Sequence, residues 1–338
     1  MEFTFDAAVR EKIWTKVALM GASGSGKTYS ALRMATGMLK KLKSLGLEQN
    51  GRIAFINSEG ARGRYYADEF KYDILDLEAP YNPERYIQCI DAAVNADYPI
   101  LIIDSTSPEW EGKGGCLELQ QLAGGTYQAW SKVTPRHDRF IMGIGDSPIH
   151  IVATMRGKDQ YVMSQESGGK TTVSKLGVGG KQREGFEYEF TASFLIEQIG
   201  NLAVSQKDNT HLFEDEGAMI ISEKDGEKII AWANTGKVDH ITPKRYEEAT
   251  TSIQQEQDNE KLEKLQPILV EYCKALGGQK NKDLMTVLYE YESEKGNPNR
   301  IKLLATAEAL KVRLETMVAE KKAKELAEAE TINKEQAE

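Results

Sequence analysis

The chain has 338 residues, enough for two domains, and its 40% hydrophobic and 28% charged residues mark a globular rather than a disordered composition. Its 43 Lys and Arg against 52 Asp and Glu leave a formal net charge of −9, which excludes a protein that coats nucleic acid through a uniformly basic surface. No apolar run approaches the roughly 18 residues of a membrane span. The polar, acidic start MEFTFDAAVREKIW is unlike a signal peptide, and Cys89, Cys116 and Cys273 are too scattered for a disulfide framework or a zinc knuckle. A soluble protein of a reducing, cytoplasmic compartment is expected.

A short apolar strand, Trp14–Met20, runs into Gly21-Ala22-Ser23-Gly24-Ser25-Gly26-Lys27-Thr28, and a helix follows with Leu32, Ala35, Met38, Leu39 and Leu42 on one face. Arg52–Asn57 and Tyr72–Leu77 read as strands. Pro83 opens a helix carrying Tyr86, Ile87, Ile90 and Ala93. Pro99–Asp104 and His150–Thr154 are continuous apolar runs, as in parallel strands buried on both faces. The alternation predicts a doubly wound α/β core. Two hairpins are expected to close it, one turning at Gly200-Asn201 and one at Asp225-Gly226.

The remainder differs in kind. Gln254–Glu260 holds no hydrophobic residue, and three apolar stripes follow: Leu262 to Leu276, Leu284 to Tyr291, and Ile301 to Val318. The expected organisation is a core over 1–238, a polar linker over 239–260, and a small helical domain over 261–330 ending in a charged tail.

Gly21 to Thr28 spells a complete P-loop between a strand and a helix. Successive backbone N–H groups there form an anion nest at a helix N-terminus, and glycines permit dihedrals closed to other residues. Lys27 is expected on the β- and γ-phosphates, and Thr28 on Mg²⁺. Asp104, ending a buried strand, is the second expected Mg²⁺ contact. No Asn-Lys-x-Asp lies on a later strand, and Asn281-Lys282-Asp283 has the wrong spacing, so the expected nucleotide is ATP. Two carboxylates compete to orient water: Glu59 after the second strand, favoured by position, and Glu109 beyond Asp104. Thr154 is either a γ-phosphate sensor or a plain strand-end threonine. The histidines show no metal-ligand spacing.

Residues 156–183 carry six cations, Arg156, Lys158, Lys170, Lys175, Lys181 and Arg183, against Asp159 and Glu166, with six glycines. Inside an acidic protein this reads as a mobile basic loop suited to phosphate contact, with Tyr161 for base stacking.

The tracts Ala54-Phe-Ile-Asn-Ser-Glu-Gly60, Arg64-Tyr-Tyr-Ala-Asp-Glu-Phe70 and Ile102-Ile-Asp-Ser105 resemble those of RecA-like ATPases, over approximately residues 12–236. Ala129–Pro135, His150–Arg156 and Gln182–Phe190 are similar to the bacteriophage Sak-type recombination group. The resemblance implies a RecA-like P-loop core, Glu59 as the catalytic glutamate and Tyr66 as the aromatic on adenine. It implies a cation acting in a neighbouring subunit's site, either Lys207 or Arg183, because Asn209 stands where that group has arginine. It further implies a homo-oligomeric filament or ring on single-stranded DNA, in recombination or replication, within a bacterial host's cytoplasm if phage-encoded. Arg156, Lys158, Lys170, Lys175 and Lys181 would meet the DNA, and the C-terminal helices would engage a replication or recombination protein. Two other readings stand beside it: a replication motor or helicase-loader partner, and a small-molecule P-loop kinase.

Overall fold

The computed structural model describes residues 5, 7–165, 171–240, 244–291 and 296–335; for 158–165, 171–179, 244–245, 249 and 331–335 it describes the backbone alone. Seven strands form one sheet in the order β3-β2-β4-β5-β1-β7-β8 among the described residues. These are β1 (Lys16–Gly21), β2 (Ile53–Asn57), β3 (Asp73–Asp76), β4 (Ile100–Asp104), β5 (His150–Gln165), β7 (Ala192–Ile196) and β8 (Ala203–Asp208). Every neighbouring pair is parallel except β7 with β8. Strands β1, β2 and β4 are buried along their whole length, which is why they read as unbroken apolar runs. The antiparallel turn at Gly200-Asn201 is present, with both residues at positive φ.

Helices α1 (Lys27–Leu45), α2 (Pro83–Asn95), α3 (Ser107–Glu111), α4 (Cys116–Leu122), α5 (Trp130–Gly145) and α6 (Glu223–Ala233) accompany the sheet. No helix among the described residues is long and apolar enough to cross a membrane.

Two expectations are corrected. The Asp225-Gly226 hairpin is instead the first turn of α6. The Asp225 carboxylate accepts from the Ser222 N–H and hydroxyl, both at 2.8 Å, so a serine three residues before an aspartate starts a helix. Gly226 serves a helix crossing: a Cβ there would sit 2.0 Å from the Met34 carbonyl oxygen of α1, and one on Gly37 would sit 1.8 Å from that of Glu223. Helix propensity alone favours alanine over glycine by about 1 kcal/mol. Here the obstructing atoms are backbone, so Gly226→Ala should destabilise the protein by about 1–3 kcal/mol. Thermal melting checks this, at roughly 2–4 °C per kcal/mol for a unit of this size.

The second correction concerns the glycine-rich stretch. His150–Arg156 pairs with the sheet, and Gly157–Gln165 then pairs antiparallel with β6 (Thr171–Gly180), so a long two-stranded hairpin stands where a mobile loop was expected. The strand formers Tyr161, Val162, Thr171, Thr172 and Val173 are interleaved with the glycines and favour pairing. Lys170 lies outside the described residues.

Contacts divide the chain into Met1–Thr250 and Thr251–Glu338. Helix α7 (Lys244–Ala275) runs through Gln254–Glu260, so this polar stretch is helical. The later unit packs Leu269 of α7, Leu284 and Leu288 of α8 (Lys282–Glu290), and Leu310 and Leu314 of α9 (Leu304–Glu335) into one core. Gly277, at φ 99°, ends the first of these helices as the sequence suggests.

Candidate nucleotide site

The P-loop lies between β1 and α1, with Gly24 and Gly26 at φ 82° and 84°. A Cβ on Gly21 would meet the Ile196 carbonyl oxygen and the Ser25 hydroxyl at 2.5 Å, so the turn requires glycine for space as well as for dihedrals. Ala22 and Ser25 close the loop through a hydrogen bond from the Ser25 N–H to the Ala22 carbonyl. Ser23, Gly24, Gly26, Lys27 and Thr28 line a cavity of about 680 Å³, a volume that suits a small-molecule ligand.

The Lys27 ammonium donates to the carbonyls of Gly21 (2.9 Å) and Ala22 (2.7 Å). Burial pushes its pKa down, opposed by the charges of Asp104 and Glu59. Phosphate oxygens would compete for the same three protons and restore the stability of the charged form.

Asp104, 3% exposed, ends β4 facing the start of α1. Its carboxylate accepts from the Thr28 hydroxyl at 2.7 Å and from the Thr154 hydroxyl. Burial pushes its pKa up against these two bonds. A buried carboxylate met by two hydroxyls, and by a lysine occupied elsewhere, is a donor set that a hard divalent cation fits. Thr28 and Asp104 would hold Mg²⁺, which would supply charge neutralisation at the phosphates. The Thr154 hydroxyl is engaged on Asp104, so this threonine orients the carboxylate.

Glu59 follows β2, which pairs with β4 so that Asn57 lies opposite Asp104. The Ser58 N–H donates to the Asp104 carbonyl, and the Ser58 hydroxyl both donates to the Ser105 carbonyl and accepts from its N–H. These bonds fix Glu59 at the cavity wall, where its carboxylate accepts from the Ser105 hydroxyl at 3.2 Å. Its main partner, which no local sequence signal marks, is the Arg156 guanidinium, at 2.8 and 3.0 Å. Arg156 stands opposite Gly21 in the β1–β5 register, at the root of the hairpin. Its side chain lies in the nucleotide cavity and reaches Glu111 at 3.8 Å, while Lys181, also lining the cavity, reaches Glu111 at 3.4 Å. Two of the five cations expected on DNA, Arg156 and Lys181, therefore line the P-loop cavity. The side chains of Lys158 and Lys175 lie outside the described residues.

Glu109 is separated from this chemistry. It is fully buried, held by His137, Cys116 and Gln182, and does not line the cavity. Of the two competing carboxylates, Glu59 lines the cavity and Glu109 does not. Tyr66 lines the cavity with its ring edge-on to Tyr29 at 5.1 Å, and Tyr65, 69% exposed, lines it too. Gly63 sits where a Cβ would meet Asn57 at 2.5 Å, which gives a steric reason for glycine in that tract. Arg183 pairs with Asp138 at 3.1 Å, and Lys207 donates to the carbonyls of Tyr188 and Phe190. Neither lines this cavity.

A protein-family model described as an AAA domain matches residues 14–214. The chain belongs to that family. The AAA domain so delimited begins before β1 and ends beyond β8, taking in the P-loop, Glu59, Asp104 and the whole hairpin, while α6 and the C-terminal helices lie outside it. Its fold is that of a P-loop NTPase, a nucleotide-binding ATPase module. No curated protein matches the chain.

Proposed function

We propose that this AAA domain hydrolyses ATP, with Mg²⁺, in response to single-stranded DNA gripped by the β5–β6 hairpin, as a RecA-like protein of the phage Sak-type recombination group. Subunits assemble as a filament or ring so that Lys207 or Arg183 completes a neighbour's site, and the C-terminal helices engage a replication or recombination protein. The observation that carries the reading is the ion pair between Glu59 and Arg156. The residue at the base of the basic hairpin holds the carboxylate that would activate water, so displacement of the hairpin by a polyanion would change the position of Glu59.

Half-exposed ion pairs contribute only about 0–1 kcal/mol, so ATP affinity should change little when this one is removed. Arg156→Gln is expected to abolish the response of ATP turnover to DNA while leaving ATP binding within roughly tenfold, as measured by phosphate release and nucleotide titration. For the DNA contact, Lys158→Ala with Lys175→Ala should weaken single-stranded DNA binding and flatten its salt dependence by up to about two phosphate contacts. Fluorescence anisotropy at several salt concentrations reads this. Unchanged DNA affinity in the double variant would remove the hairpin from the DNA surface.

A further inference from the structure

Glu109, Cys116 and His137 come from three different helices and converge away from the nucleotide cavity. Each is fully buried. Glu109 Oε1 lies 3.0 Å from His137 Nδ1 and 3.0 Å from Cys116 Sγ, and the sulfur lies 3.9 Å from the same imidazole nitrogen. Glu109 Oε2 is 3.2 Å from that nitrogen and accepts from the Gln182 side-chain amide at 3.0 Å.

We propose that Glu109, Cys116 and His137 form a binding site for one divalent transition ion of the zinc class. The point equidistant from the three donor atoms lies about 2.0 Å from each, and the distance lengthens as an ion rises from their plane, spanning Zn–N and Zn–O bonds of about 2.0–2.2 Å and Zn–S bonds of about 2.3 Å. The charges also balance. A divalent ion with a thiolate, a carboxylate and a neutral imidazole sums to zero, the condition for placing charge in a fully buried pocket. Binding releases the thiol proton, and any proton on the imidazole, to solvent. Imidazole and thiolate together select zinc-like ions over Mg²⁺ or Ca²⁺, so this site and the Thr28–Asp104 site take different metals. Gln182, which also donates to the Thr106 carbonyl at 2.9 Å, holds the second carboxylate oxygen as an outer partner. A water would take the fourth tetrahedral position.

The ion's role follows from where the ligands sit. Helices α3 and α4 have five and seven residues and are joined by Gly112-Lys113-Gly114-Gly115. Helices this short are not stable on their own. Crosslinking both to α5 staples the segment that immediately follows Asp104.

The test is metal analysis of the untagged full-length chain, purified without nucleotide or chelator. One zinc per chain is expected, and exchange for Co²⁺ should give a thiolate-to-cobalt charge-transfer band. Cys116→Ser should lose the band and at least tenfold in Zn²⁺ affinity. Cys89→Ser with Cys273→Ser should keep both, and this variant decides the assignment should Cys116→Ser fail to fold. A chain that takes up no stoichiometric zinc even after dialysis against Zn²⁺ overturns the proposal, as does loss of the band in the double variant or a Cys116→Ser protein that binds zinc as tightly as the parent. In each of those cases the cluster is a hydrogen-bonded one only.

Discussion

Lys27→Ala is expected to remove ATP turnover almost completely. The ammonium is the only cation projecting from the P-loop itself, and it sits at the mouth of the nest of backbone N–H groups that begins at Gly21. Charge accumulates on the β–γ bridging region during phosphoryl transfer, so a preorganised cation there acts mainly in the transition state. Loss of one such stabiliser costs about 3–4 kcal/mol, or about 10²–10³ in rate. The alanine also removes the ammonium that phosphate oxygens would engage in place of the Gly21 and Ala22 carbonyls, so the ground-state complex should weaken as well. Phosphate release at saturating ATP separates the two effects: the rate should stay depressed even when the site is filled.

Glu59→Gln should produce a different pattern. The amide keeps the shape of the side chain and can still meet Ser105, but it cannot accept a proton from water. General-base catalysis contributes typically 10²–10⁴ in rate, so turnover should fall by about that much with ATP affinity nearly unchanged. The neutral amide also releases Arg156 from its ion pair. A protein that binds ATP and persists in the bound state is therefore expected, and slow single-turnover hydrolysis with normal nucleotide binding would check it. If Glu109→Gln instead gave this pattern, the assignment of the two carboxylates would be reversed.

Much of this site is legible in the sequence because its requirements are local. A phosphate nest needs glycines at set positions next to a lysine and a hydroxyl, and a cation site at a strand end needs an acid directly after an apolar run. Gly21 to Thr28 and Asp104 satisfy those rules within a few residues each. What the sequence hides depends on distant pairing. Arg156 and Glu59 are 97 positions apart, and a cation in a glycine-rich stretch carries no mark of a carboxylate partner across the sheet. Cys116 and His137 stand 7 and 28 positions from Glu109, a spacing without meaning until α3, α4 and α5 pack together. Asp225-Gly226 misleads for another reason. The same dipeptide that favours a tight turn also supplies a capping carboxylate and a residue small enough for two helices to cross, and packing against α1 decides between them.

The most direct measurement is phosphate release from ATP with and without single-stranded DNA, at a low and a physiological salt concentration. The account predicts turnover that DNA raises several-fold at low salt, with the stimulation shrinking as salt competes for the phosphate contacts. Turnover that is indifferent to single-stranded DNA at both salt concentrations would contradict it.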